Sequence, residues 1–302
     1  MNQLSQVKRG RLEESLCILL YGVDGVGKSS FGASAPSPIF LGAEQGTSQL
    51  DVARLPQPLK FSDCVKAVQE LQTSTHDYKT LVIDSLDWME PLIWNEVVDE
   101  SMPRVSDISK IGWNKGYDLA ALKLRKFISE LSSLKNSGMN ILLLAHSKIK
   151  IFNDPTATQG YDKYILAMRD DTSNIWRQFA DAVLFMNYEI FTKDGSRRGY
   201  GEGLRVMYTE ERPSFQAKSR FALPFRIAVH KNSGWKCLTD AIEANEPNSL
   251  EQIIDSINSF KSRIVDAELL KKINSAIDGA STDILALTEI RDRLMALTVD
   301  LK

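Results

Sequence analysis

Gly22-Val23-Asp24-Gly25-Val26-Gly27-Lys28-Ser29 is the stretch of this 302-residue chain that decides its fold. Gly22, Gly27, Lys28 and Ser29 fill the fixed positions of G-x-x-x-x-G-K-[ST]; the apolar run Leu16 to Tyr21 leads in, and a helix-compatible segment, Ser30 to Ser34, follows. Strand, glycine loop and helix in that order is the context in which this pattern cradles phosphates. The glycines let consecutive backbone N–H groups face an anion, and the helix start turns its positive dipole end to the same place. Lys28 reaches for the β- and γ-phosphates, and Ser29 offers a hydroxyl to Mg²⁺. Gly22, Asp24, Gly25, Val26, Gly27, Lys28, Ser29 and Ser30 are the expected binding residues for a nucleoside triphosphate with Mg²⁺.

Outward from the loop, short apolar runs recur: Leu16 to Tyr21, Ile39 to Leu41, Leu81 to Ile83, Ile141 to Ala145 and Ala182 to Met186. Runs apolar on both faces read as buried strands of a mostly parallel sheet. Between them, Ser62 is placed to cap a helix over Asp63 to Leu71, and Gly116 to Asn136 carries leucines and isoleucine at helical spacing. The layout is α/β and doubly wound. After Tyr188 the pattern alternates through Leu204, Val206 and Tyr208, then Phe225, Ile227 and Val229, which predicts hairpins extending the sheet in antiparallel fashion. From Ser249 three amphipathic stripes predict a C-terminal helical module. The expected divisions are an N-terminal arm over 1–14, a nucleotide-binding core over 15–242 and the helical module over 249–302.

Charge is nearly balanced, with a net of −2, so any nucleic-acid contact must come from a local patch. Three scattered cysteines make neither a disulfide framework nor a zinc site, and a reducing, cytoplasmic setting is expected. The polar start and strand-length apolar runs predict no signal peptide and no membrane span.

Thr80 to Ser85 is an apolar strand ending in Asp84, the form expected for a second Mg²⁺ ligand opposite Ser29. Hydrolysis also needs a group that orients or deprotonates water. Ser85 stands where many nucleotidases carry a glutamate, so the base is sought elsewhere: Glu44 follows the strand Ile39 to Leu41, and Asp87 is the runner-up. The next strand delivers His146 to the same edge, where a polar side chain can sense the γ-phosphate.

These positions together resemble the RecA-like recombinase core, most of all its short phage-type, core-only ATP-binding proteins, over roughly Ser15 to Val229. The resemblance implies ATP as the nucleotide, Glu44 as the catalytic base, Asp84 with Ser85 as the metal motif, and His146 in a sensor position that the family fills with Gln. It also matches Lys218 and Arg220, ahead of Leu223-Pro224-Phe225, to cations that reach the γ-phosphate of a neighbouring subunit in a ring or filament. Two stretches correspond to the family's single-stranded-DNA loops: Pro103 to Tyr117, with Lys110, Trp113 and Lys115, and Ser147 to Thr172, with Lys148, Lys150, Phe152, Lys163 and Arg169. Cations interleaved with aromatics suit such a strand, although a β-ribbon with inward rings is the plainer alternative.

The expected function is an Mg-dependent ATPase acting on single-stranded DNA in recombination or annealing, working as a homo-oligomer with single-strand-binding or replication proteins as partners, in the host cytoplasm if phage-encoded. A nucleotide-switched assembly scaffold without a DNA role is the alternative.

Overall fold

The computed structural model describes residues 15–42, 47–102, 104–189, 191–192, 199–200, 203–244 and 267–280, with scattered positions between 254 and 294. The N-terminal arm, Glu44 and the Ser249 capping sequence lie outside the described residues. The chain divides into two compact units, Met1–Ala244 and Asn245–Lys302.

In the first unit the elements run β1 (Cys17–Gly22), α1 (Lys28–Ala33), β2 (Pro38–Gly42), β3 (Ala53–Arg54), α2 (Phe61–Thr73), β4 (Thr80–Asp84) and α3 (Leu86–Ser101). A 3-10 turn at Ile108–Lys110 precedes α4 (Lys115–Asn136), β5 (Asn140–Phe152), β6 (Tyr161–Leu166), α5 (Asp170–Phe179) and β7 (Ala182–Tyr188). A short hairpin, β8 (Phe191–Thr192) and β9 (Gly199–Tyr200), then leads to β10 (Arg205–Tyr208), β11 (Lys218–Ser219), β12 (Arg226–Val229) and α6 (Gly234–Ala244).

The main sheet has the order β12-β10-β7-β1-β5-β4-β2-β3. From β3 to β7 all neighbours are parallel, and β10, β11 and β12 join in antiparallel fashion. β5 separates β1 from β4, so the tips of the loop strand and of the Asp84 strand stand one strand apart.

Every residue of β1 is buried, because helices cover both faces of the sheet. Cys17, Leu19 and Tyr21 face a cluster built with Phe61, Leu86, Leu124 and Phe127 from α2, α3 and α4. Ile18 and Leu20 face the opposite cluster, with Phe31 of α1 and Trp235 of α6. Period-2 alternation inside a continuously apolar run thus feeds two cores. Fully burying one such leucine contributes about 1.5–3 kcal/mol.

Local chemistry shifts two boundaries. The first long helix begins at Phe61, because Asp63 accepts from the backbone N–H groups of Lys60 and Leu59 at 3.0 and 3.1 Å. Ser62 is therefore inside the first turn, its N–H donating to Glu96 Oε2 at 2.7 Å, and is not the cap. The segment after Ala145, expected as a long loop, is a ribbon: β5 continues to Phe152 and pairs antiparallel with β6 from Ser147↔Leu166 to Phe152↔Tyr161.

In the second unit, α7 (Ala267–Ala280) contributes Ile273 to an apolar cluster with Ile257, Leu287 and Leu294. Among the described residues no helix is long and apolar enough to cross a membrane.

Candidate nucleotide site

The loop leaves β1 at Gly22, where the parallel neighbour β7 comes so close that a Cβ would lie 2.1 Å from the Met186 carbonyl oxygen. Only glycine fits there. Gly25 and Gly27 take φ of 71° and 101°, the left-handed region in which a side chain is strained. These turns fold the loop back on itself, and Lys28 Nζ donates to the carbonyls of Gly22 and Val23, each at 3.1 Å. The ammonium therefore spans the mouth of the loop, where a bound phosphate would compete with those two carbonyls for it.

Strand register gathers the other groups at the same edge. Gly22 is opposite His146, and Asp84 is opposite both Leu144 and Gly42. Ser29 Oγ donates to Asp84 Oδ2 at 2.6 Å. Burial raises the Asp84 carboxyl above its usual range, with the Ser29 hydrogen bond and the Lys28 charge opposing that rise. Ser85 Oγ is buried beside it without a hydrogen-bond partner. A hydroxyl and a carboxylate in contact form a hard-oxygen pair of the kind Mg²⁺ takes when phosphates and water complete its shell. The residues fit that ion, and Ser29 and Asp84 would hold it. Mg²⁺ there would neutralise charge on the phosphate chain.

His146 is not a lone histidine. Its Nδ1 meets Asp87 Oδ2 at 2.8 Å and its backbone N–H donates to Asp87 Oδ1 at 2.9 Å, while Nε2 stands 3.7 Å from Asp24 of the loop. Burial pushes the Asp87 carboxyl up, but its bonds to His146 hold it below the usual range on balance. One turn along α3, Glu90 is buried and accepts from the Arg169 N–H at 3.2 Å, at the start of α5. Arg169 in turn lies 3.7 Å from the Tyr117 ring centre.

Lys218 and Arg220 sit elsewhere. Lys218 pairs with Val183 at the start of β7, three residues before Met186, the partner of Gly22. At 3.3 Å per residue that is roughly 10 Å along the strand from the loop. Arg220 is bound to Asp181 at 2.9 Å, and Asp181 also holds Lys135 and the Cys17 N–H. Burial and the nearby Arg220 charge hold the Lys218 ammonium below its usual range.

The cations of the two DNA-loop stretches divide. Lys148 donates to the Met168 carbonyl, Lys150 pairs with Asp170, and Lys163 is buried against Glu211. Lys110 and Lys115 are exposed, and Trp113 between them is fully in solvent at 102% relative exposure. On the ribbon, Ile149 and Ile151 are exposed and Phe152 packs 5.7 Å from Tyr161.

Sequence reading missed the Asp87–His146 pair, Tyr188, whose hydroxyl donates to the Gly25 carbonyl at 2.9 Å, and Arg205, which stands over Gly27. A signal for Arg205 existed. It alternates with Leu204 and Val206, on the face of β10 that carries Met207 into the α1-side cluster.

A glycine loop on a parallel sheet, with a Lys, a Ser hydroxyl and an Asp at neighbouring strand tips, defines a phosphate-loop nucleotide-binding protein. A protein-family model described as an AAA domain matches residues 14–221, and the chain belongs to that family. Membership points to nucleotide binding and ATPase activity. No curated protein sequence matches the chain.

Proposed function

We propose that this chain is a RecA-like, Mg-dependent ATPase that grips single-stranded DNA in its ATP state and serves recombination or annealing as an oligomer. The observation that supports it most is a series of polar groups that leads away from the loop. Asp24 faces His146, His146 binds Asp87, and one turn later Glu90 holds the backbone where α5 begins, next to Lys148 and the ribbon. A γ-phosphate that accepts a hydrogen bond from His146, in place of Asp24, acts on one end of that path, and the ribbon lies at the other. Glu44 follows β2, whose last residue Gly42 is in register with Asp84, so it remains the proposed base. Lys218 and Arg220 would serve only a neighbouring subunit's nucleotide, and Arg220 would do so by leaving Asp181. Lys110, Trp113 and Lys115 are the proposed DNA contacts, the ring stacking on bases and the amines following phosphates.

A second reading has its own support. The ribbon's lysines are already paired while Ile149 and Ile151 are 59% and 66% exposed, which suits contact with protein in a nucleotide-switched assembly. Fluorescence anisotropy of a labelled single-stranded oligonucleotide, with and without a non-hydrolysable ATP analogue at two salt concentrations, separates the two. Salt-sensitive, analogue-dependent binding supports the first reading. No binding in any arm overturns it and leaves the assembly reading.

A further inference from the structure

The antiparallel extension touches the phosphate loop with two side chains. Arg205 and Tyr188 are opposite each other in the β10–β7 pairing, so their side chains emerge on one face. Tyr188 reaches the Gly25 carbonyl at 2.9 Å. Arg205 lays its guanidinium over Gly27: a Cβ there would lie 3.0 Å from Nη1, 3.4 Å from Cζ and 3.8 Å from Nε. A cavity of about 420 Å³ opens beside it, lined by Gly203, Leu204, Arg205, Val229, His230 and Lys231.

Three other arginines of the first unit are neutralised within the chain: Arg220 by Asp181, Arg226 by Glu189, Arg169 by Asp171. Among the described residues no carboxylate pairs with Arg205. A planar cation with several donors, held against a glycine loop of the phosphate-cradling pattern, matches the needs of a phosphate.

We propose that Arg205 is a second cationic ligand of the nucleotide's phosphate chain, supplied by the same subunit from the antiparallel extension. The proposal rests on the nucleotide reading of the loop and deepens it. Lys28 and Arg205 then approach the phosphates from different sides, one from the loop's own helix and one from a strand that follows β7. The extension thereby senses charge at the loop directly, without the path through His146. Gly27 gains a second reason to be glycine, since any side chain there would press on the guanidinium.

The test is equilibrium binding of ATP, ADP, AMP and adenosine, in Mg²⁺, to the full chain and to Arg205→Gln and Arg205→Lys, with thermal melting of each unliganded protein. A charge-assisted contact predicts that Arg205→Gln weakens ADP and ATP by about 10- to 100-fold. AMP is weakened less and adenosine hardly at all, Arg205→Lys recovers part of the loss, and the unliganded melting temperatures agree. Equal ADP affinity in the wild type and Arg205→Gln overturns the proposal, as does an equal loss for ADP and adenosine. A wild-type chain that binds none of the four overturns the nucleotide reading itself, and this inference with it. A melting temperature lowered in Arg205→Gln but not in Arg205→Lys moves the comparison to the lysine variant, whose ADP affinity must then fall below wild type; an unchanged value overturns the proposal.

Discussion

Ser29 Oγ and Asp84 Oδ2 are 2.6 Å apart, so the loop and the β4 tip are joined through the two groups that would hold a cation. Ser29→Ala and Asp84→Asn each remove one of them. Both variants should bind ADP without Mg²⁺ as the wild type does, yet lose the gain in ATP affinity that Mg²⁺ brings, a comparison made by calorimetry with and without the ion. Lys28→Ala should weaken ATP by about 100-fold in either condition, because in the nucleotide reading the ammonium would bind the phosphates themselves.

The Asp87–His146 pair sets a pH dependence. Asp87 is held below the usual carboxylate range, so its ionised form favours the folded state. That contribution is complete above the unfolded carboxylate value of about 4 and is lost as pH falls through the lower folded value. Asp87→Asn should cost about 1–3 kcal/mol near pH 7 and progressively less below about pH 4. Urea unfolding at several pH values reads the difference; a gap that is flat down to pH 2 would contradict an ionised Asp87 that favours the folded state.

Thiol reactivity reports the core. Burial pushes both Cys17 and Cys64 up to about 12, so neither forms a thiolate near neutrality, while Cys237 is partly exposed. A colorimetric disulfide reagent at pH 8 should find one fast thiol in the native protein and three in denaturant. Two fast thiols in the native state would contradict the packing of β1 or α2.

Trp113 is the exposed ring with lysines two and three positions away. Trp113→Ala should weaken single-stranded oligonucleotide binding by about 5- to 100-fold, the range for losing one stacked base, without changing ATP affinity. Oligonucleotide titrations with a saturating ATP analogue measure it.

Much of this architecture was legible in periodicity: five strand cores follow from runs apolar on both faces, the α4 helix from apolar residues at helical spacing, and the antiparallel edge from alternation. The loop's chemistry was legible for a different reason, since a phosphate cradle needs glycine, lysine and a hydroxyl at fixed spacing. Contacts between distant segments were not. His146 reads as solitary in the chain and acquires Asp87 only when β5 and α3 meet, 59 residues apart in sequence. The cations of the ribbon look free until Asp170 and Glu211 fold against Lys150 and Lys163. Arg205 and Gly27 are brought together by a sheet order in which β10 lies two strands from β1. Two-residue strands such as β3 have too little pattern to be seen.

The central claim is that ATP turnover at the loop is tied to single-stranded DNA, and phosphate release measures it most directly. The wild type should release phosphate only with Mg²⁺ and faster when a single-stranded oligonucleotide is added. Glu44→Gln should retain ATP binding while slowing release by at least about 100-fold. No Mg-dependent release, or a rate indifferent to the oligonucleotide, would contradict the account.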